Sequence, residues 1–108
     1  MKKSILSSVA LAVALALSSA AHAGDVAAGK EIYDKQRPQP CSSCHGAQGQ
    51  GMAIFPPLTK HSVKQTTDLL KRYRAGETVG SNTALMTPHA KNLSDEDIAN
   101  LAAYIATF

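Results

Sequence analysis

The residues best suited to chemistry in this chain are five in a row, Cys41-Ser42-Ser43-Cys44-His45. Two cysteines separated by two residues and followed at once by a histidine form the pattern at which haem is attached covalently. Each thiol would add across one vinyl group of the haem, because one helical turn brings residues i and i+3 to the same side. His45 could then place an imidazole nitrogen on the iron. The chain has no other cysteine, so this site would use both thiols.

Three other interpretations of the cysteine pair agree less well with the sequence. A zinc site needs four ligands, usually as two spaced pairs, and the second pair would have to be His61 and His89, which lack that spacing. A thioredoxin-like redox pair would lie beside a βαβ pattern, which the downstream sequence does not show. A disulfide between Cys41 and Cys44 would close a loop too small to stabilise the fold much. We therefore predict one covalently bound haem c.

A second protein ligand to the iron has four candidates, Met52, Met86, His61 and His89. A methionine opposite a histidine raises the reduction potential, as suits electron transfer. Met52 is near enough to His45 along the chain to reach the iron, but it lies in a glycine-rich segment. We favour Met86, because the segment around it has no helical periodicity, is stiffened by Pro88 and precedes a helix that could hold it. His89, three residues after Met86, is the main competitor.

The second nitrogen of His45 also needs a partner, since ligating histidines nearly always donate their other N–H to an acceptor. The apolar, rigid segment 54–58 contains Pro56 and Pro57. A carbonyl beside or within this proline pair is free of ladder bonding, so we predict that one of them accepts the Nδ1 proton of His45. The residues alone leave both prolines possible.

The elements that would position these residues are helices. Helical periodicity predicts three of them, over residues 25–35, over residues 62–75 and from residue 94 onward. The last is the most regular, because its apolar residues recur at i, i+3, i+4 and i+7, at Ile98, Leu101, Ala102 and Ile105. Residues 80–92 show no helical period, and no stretch alternates like a strand. The sequence predicts an all-α domain without a sheet.

The amino-terminal residues 1–23 have the pattern of a secretory signal peptide that is removed. Two lysines precede an apolar run over residues 5–17, and residues 21–23 read Ala-His-Ala, with small residues where a signal peptidase cleaves. The run is shorter than the roughly 20 residues that span a bilayer, so we expect no stable membrane insertion; a retained anchor is the alternative. We predict export to the periplasm and one mono-haem domain over residues 24–108.

Composition limits what that domain can do. Without Lys2 and Lys3, nine basic residues face eight acidic ones, and the basic residues are dispersed. Nucleic acid is therefore not a predicted partner, because its capture needs a clustered basic patch. Leu, Ile, Val and Phe make up only 15 of the 85 residues from 24 to 108, which is few for an independent core. We predict that haem completes the core and that the haem-free chain does not fold stably.

Together these features resemble a class I cytochrome c of the small bacterial, mono-haem periplasmic type. The resemblance extends over nearly all of residues 24–108 in order. It rests on Gly29 and Tyr33 in the first helix, the Cys41 to His45 motif followed by Gly46, Phe55-Pro56 with Leu58, Met86-x-Pro88, and Leu93-Ser94 before a final helix with Tyr104.

The resemblance implies a cytochrome c fold of three to four helices around one haem. The first and last helices would cross closely at Gly29, with Tyr104 packed beside it. Cys41 and Cys44 would hold the haem, and His45 and Met86 would be the axial ligands. The acceptor for His45 would be the carbonyl of Pro56, with Pro57 still possible.

The function that follows is a soluble periplasmic electron carrier rather than an enzyme, shuttling single electrons between respiratory partners. Redox proteins would bind weakly at the haem edge near Cys41 and Cys44, through a small interface, and we expect a monomer. One alternative is a haem enzyme or gas-binding protein in which Met86 leaves the iron easily. Another is a cytochrome subunit of a larger oxidoreductase complex.

Overall fold

A computed structural model of the chain describes residues 24–108, which contain five α-helices. They are α1 (Val26–Lys35), α2 (Ser42–His45), α3 (Val63–Arg74), α4 (Thr83–Ala90) and α5 (Asp95–Ile105). This part of the chain has no strand and one isolated β-bridge, between Met52 and Phe55. The all-α prediction is confirmed, and the short helices α2 and α4 bring the number of helices to five rather than three to four.

The predicted signal peptide, residues 1–23, lies outside the described residues, so its cleavage stays a prediction. Of the five helices between residues 24 and 108, none combines the length and the apolarity that a bilayer-spanning helix needs.

Side-chain caps determine where the three longer helices begin. The carboxylate of Asp25 accepts two backbone N–H bonds at 2.9 and 3.1 Å at the start of α1. Ser62 precedes α3 and forms a capping box with Gln65, and Ser94 precedes α5 and forms one with Asp97. Each helix therefore starts one residue after the first residue of the predicted segment, because that first residue is the cap.

The helices α1 and α5 pack closely against each other at Gly29. A Cβ atom at this position would overlap the backbone carbonyl oxygen of Asn100 and would lie 2.8 Å from the Cβ atom of Tyr104. The side chain of Asn100 also accepts the backbone N–H of Asp25 at 2.8 Å, which ties the start of α1 to α5. The close approach expected at Gly29, with Tyr104 beside it, is confirmed.

The core lies where α1, α3 and α5 meet and is small. Its largest fully buried side chains are Tyr33, Ile98 and Leu101. Tyr33, Tyr104 and Phe108 pack edge to face against one another, with ring centroids 5.0 to 5.5 Å apart, a favourable arrangement for aromatic rings. This aromatic cluster joins α1 to the carboxyl-terminal end of the chain.

The segment before the last helix differs from the sequence prediction. Residues 80–92 lack helical periodicity and contain Pro88, yet Thr83–Ala90 is α-helical. The hydroxyl of Thr83 accepts two backbone N–H bonds at 2.8 and 2.9 Å, and the hydroxyl of Thr87 donates to the Thr83 carbonyl at 3.1 Å. The prediction of an irregular segment was wrong, because these bonds and packing against α3 support the helix rather than an apolar stripe.

Arg74 joins the end of α3 to the start of α5. Its guanidinium donates to the carbonyl oxygen of Leu93 at 3.1 Å and pairs with the carboxylate of Asp95 at 2.8 Å. The hydrogen bond and the charge of Arg74 hold the pKa of Asp95 below its ordinary value, and the charge of Lys71 lowers it further.

We expect Arg74→Met to raise the pKa of Asp95 towards the ordinary value of about 3.9. The native fold lowers this pKa, so the ion pair stabilises the fold above the unfolded-state pKa and this contribution is lost as the pH falls through the folded-state pKa. NMR titration of the Asp95 carboxyl measures the shift. Arg72→Met is the matched control, because Arg72 pairs with Glu77 instead. An unchanged Asp95 pKa in Arg74→Met would contradict the assignment.

Candidate haem site

The predicted attachment motif forms a single helical turn, α2. The backbone N–H groups of Cys44 and His45 donate to the carbonyl oxygen of Cys41 at 3.3 and 2.9 Å. This turn brings both cysteines to the wall of one cavity, as expected for residues at i and i+3. Both thiols are free of disulfides. Burial raises the pKa of Cys41 to about 11, so an unattached thiol at this position stays protonated near neutral pH.

The turn ends at Gly46, whose φ of +92° favours glycine. The carbonyl oxygen of Gly46 accepts a 2.6 Å hydrogen bond from the hydroxyl of Tyr33, which is fully buried in α1. Burial raises the pKa of Tyr33 far above its usual range, so the hydroxyl keeps its proton. The sequence singled out Tyr33 in the first helix through the family resemblance but did not predict this bond, because its acceptor is a backbone carbonyl with no sequence signature.

His45 is oriented by the carbonyl of Pro56. The Nδ1 atom of His45 lies 2.9 Å from the Pro56 oxygen, and because a carbonyl can only accept, Nδ1 carries the proton and Nε2 is left for iron. Of the two prolines that the sequence left open, Pro56 is the one whose carbonyl makes this hydrogen bond. Burial lowers the pKa of His45, the Pro56 bond opposes the shift, and the charge of His89 lowers the pKa further. The neutral imidazole is the form that binds a metal.

The loop that carries Pro56 is held by backbone hydrogen bonds. The N–H of Gly51 donates to the carbonyl oxygen of His45 at 2.7 Å, and Met52 and Phe55 exchange two bonds at 3.0 and 2.8 Å. Gly51 has a φ of +79°, and a Cβ atom there would lie 2.8 Å from the carbonyl oxygen of Phe55. Glycine is therefore needed where the loop folds back on the proline segment.

Met86, in α4, lines the same cavity as the attachment motif. The cavity has a volume of about 310 Å³, within the range of sites that hold small molecules and cofactors. Met52 does not line it and is 46% exposed. The structure thus brings Cys41, Cys44, His45 and Met86 together and leaves Met52 outside. Much of the cavity wall is apolar and includes Ile54, Leu58, Leu69, Leu70, Leu85, Leu101 and Ile105.

His61 and His89, the alternative ligands named from the sequence, also line this cavity. His89 follows Met86 by three residues in α4, and its backbone carbonyl accepts a 3.0 Å bond from the side-chain amide of Gln36 at the end of α1. His61 lies just before α3. Position on the cavity wall therefore does not distinguish Met86 from His61 and His89 as the second iron ligand. It does argue against Met52, which does not line the cavity.

The residues around the cavity fit a covalently attached haem. The thiols of Cys41 and Cys44 lie one helical turn apart. The imidazole of His45 donates its Nδ1 proton to a carbonyl, and the thioether of Met86 lines the same apolar cavity. Over residues 24–108, no three His, Cys, Asp or Glu side chains form a group that could hold a lone metal ion. The donor set is the one a porphyrin iron with two axial positions requires.

Known proteins are similar in sequence to this chain over almost all of the described residues. The family model described as Cytochrome c matches residues 26–108. Cytochrome c-554(548) of Halomonas halodenitrificans is 48% identical over 86 residues, which cover 79% of this chain and 98% of that protein. Cytochrome c-554(547) of Halothiobacillus neapolitanus is 41% identical over 93 residues and has the same two coverages.

A solved structure shares the fold as well. Cytochrome c4 from Acidithiobacillus ferrooxidans matches with a TM-score of 0.69 and 29% identity, over 84% of this chain and 53% of that one. The present chain thus spans about half the length of that cytochrome c4. The family match, the two relatives and the helical architecture around the cavity lead to one conclusion: the chain belongs to the cytochrome c family and is a haem electron-transfer protein with a covalently bound c-type haem.

Proposed function

We propose that this protein is a periplasmic one-electron carrier in which Cys41 and Cys44 attach the haem and His45 and Met86 bind its iron. The proposal rests on one observation, that these four side chains line a single apolar cavity. When bound, the haem supplies the ferric–ferrous couple. The protein chain supplies the attachment, the two ligands and the low-polarity surroundings that set the reduction potential.

The two proposed axial ligands of the iron favour an electron carrier over a catalyst. With both axial positions filled by His45 and Met86, coordination is the same before and after electron transfer, so little has to rearrange. The hydrogen bond from His45 to Pro56 fixes the imidazole orientation and increases its basicity as a ligand. A thioether opposite an imidazole also raises the reduction potential.

The proposed partners are redox proteins that bind weakly where the cavity meets the surface. Ile54 and Leu85 line the cavity and are 59% and 52% exposed, so they extend its apolar border into solvent. A small apolar contact of this kind suits a short-lived encounter. We propose further that residues 1–23 direct export to the periplasm, that residues 24–108 act there as a monomer, and that neither nucleic acid nor stable membrane insertion is involved.

The first test is the visible spectrum of the protein produced with its haem attached. The ferric protein should show the weak long-wavelength sulfur-to-iron band, and the ferrous protein should not change when carbon monoxide is added. Met86→Ala should abolish the band, because it removes the proposed thioether ligand. Met52→Ala is the matched control and should keep the band, since Met52 lies outside the cavity.

Two results would overturn the proposed ligation. Ready binding of carbon monoxide by the unmodified ferrous protein would indicate an open sixth position and favour a haem enzyme or gas-binding protein, to which His61 and His89 could contribute from the cavity wall. Loss of the band in Met52→Ala and not in Met86→Ala would assign the thioether to the other methionine.

A further inference from the structure

We propose that His89 is a reserve axial ligand, which binds the iron when the thioether of Met86 is lost. This inference rests on the proposed ligation by His45 and Met86 and goes beyond it, because it assigns a second, conditional ligand to the same cavity. It predicts that removing Met86 replaces one protein ligand with another and does not leave the sixth position open.

His89 is well placed for this role because it shares a helix and a cavity with Met86. The two residues are three apart in α4, and both line the cavity. In an α-helix, this spacing corresponds to an axial rise of about 4.5 Å and an offset of about 60° around the axis. A shift of α4 by less than one turn would therefore bring the imidazole towards the place of the thioether.

The imidazole ring of His89 makes no hydrogen bond that would hold it away from the iron. In the described part of the chain, the hydrogen bond of this residue is made by its backbone carbonyl, which accepts from Gln36, and the ring itself makes none. The ring is also near enough to His45 for its charge to contribute to the lowered pKa of that residue. The His89 ring itself therefore has no protein hydrogen bond within residues 24–108 to give up when it turns towards the iron.

The structure of α4 allows such a shift. Pro88 has no N–H to donate to the carbonyl of Ala84, so the helix lacks one of its internal bonds. The side chain of Asn82 makes no capping bond at the start of α4, where the hydroxyl of Thr83 accepts the N–H groups of Val79 and Gly80 instead. A Cβ atom at Gly80 would have no protein neighbour within 4 Å. The bond from Gln36 to the His89 carbonyl restrains the other end of the helix, and this one side-chain bond would have to lengthen for His89 to move towards the place of the thioether.

His61 also lines the cavity, but it belongs to a different element. Loss of the thioether of Met86 releases α4 from the iron, and the element released is the one that carries His89. His61 precedes α3, which packs on both α4 and α5, so the loss of Met86 frees nothing that would move His61. Ferric iron accepts imidazole readily in place of the softer thioether, so the exchange is chemically reasonable.

The test uses the haem-loaded protein and two double variants. Met86→Ala alone should lose the sulfur-to-iron band but stay low-spin in electron paramagnetic resonance, with the signature of two imidazole ligands. Its ferrous form should not bind carbon monoxide readily. Met86→Ala with His89→Phe should become high-spin and bind carbon monoxide. The matched control, Met86→Ala with His61→Phe, should behave like Met86→Ala alone.

Three outcomes would overturn the proposal: a high-spin, carbon monoxide-binding Met86→Ala protein, a low-spin protein that persists when His89 is also replaced, and loss of the low-spin state in the His61 control. Met86→Ala with His89→Gln repeats the test with a side chain of different shape, and far-ultraviolet circular dichroism confirms that each variant is folded. Failure of the proposed function would be seen separately, as absence of the sulfur-to-iron band from the unmodified protein.

Discussion

A haem-free protein, made by replacing both Cys41 and Cys44 with alanine and removing any bound haem, is expected to show no cooperative thermal unfolding. The folded chain has a small core, with three large side chains fully buried. Its central cavity is lined by leucine and isoleucine side chains that would face water or an empty space without haem. Loss of the haem should therefore be the largest single change in the stability of this protein.

The size of the cavity supports this expectation. A sealed apolar cavity costs about 24 cal/mol per Å³, so about 310 Å³ corresponds to at most about 7 kcal/mol. A domain of this length is stable by about 4 to 13 kcal/mol in total. The two thioether bonds and two axial ligands of the proposed site, which hold α2 and α4 to one body, would be lost in addition.

Calorimetry and circular dichroism of the haem-free double variant measure the effect. Met86→Ala is the matched control, because it changes a proposed haem contact and keeps both covalent attachments, and it should still unfold in one cooperative transition. A sharp transition in the haem-free protein, with the helix content of the loaded protein, would show that the chain folds without haem and would contradict the prediction.

Gly29→Ala is expected to destabilise the haem-loaded protein, although the same change in an exposed helix interior would stabilise it by about 1 kcal/mol. The added methyl group would overlap the carbonyl oxygen of Asn100 and press on the Cβ atom of Tyr104. Backbone cannot move aside as the end of a side chain can, so α1 and α5 would have to separate. Overpacking of this kind costs about 1–3 kcal/mol, occasionally more.

Thermal unfolding of the haem-loaded variant should show a melting temperature lower by roughly 10 °C, since about 1 kcal/mol shifts it by roughly 4–8 °C in a domain of this size. Gly29→Val should lower it further. Gly80→Ala is the glycine control, because a Cβ atom there would meet no protein atom within 4 Å, and it should change stability by about 0.5 kcal/mol or less. Because Gly80 lines the proposed haem cavity, the visible spectrum of this variant should also be unchanged. Equal melting temperatures for Gly29→Ala and the unmodified protein would contradict the close contact.

The sequence was informative wherever the determining interactions are local. The order Cys41-x-x-Cys44-His45 predicts the single turn that brings both thiols to one cavity, because a helical turn is a property of four neighbouring residues. Ser62 and Ser94 mark helix starts because a capping side chain bonds to backbone two or three residues away. The partner of Gly29 in this close contact was predictable only through the resemblance to a family, since Asn100 is 71 positions away.

Other features were decided by tertiary structure. The helix α4 forms although its sequence lacks periodicity and contains Pro88, because threonine hydroxyls and packing against α3 support it. The carbonyl of Pro56, rather than that of Pro57, bonds to His45 because the loop folds back through Gly51. The formation of α4 and the acceptor of the His45 bond depend on the path of the backbone, so they cannot be predicted from residue types alone.

The sequence by itself thus determined the haem chemistry, the all-α class and the starts of the three longer helices, since these depend on residue types and spacings within a few positions. Tertiary structure decided which distant side chains share the cavity. It left Met52 outside, brought Met86, His61 and His89 to the wall, and joined Tyr33 to Gly46. The physical reason is that a cavity is enclosed by segments far apart in the chain, and their meeting is set by packing of the whole domain.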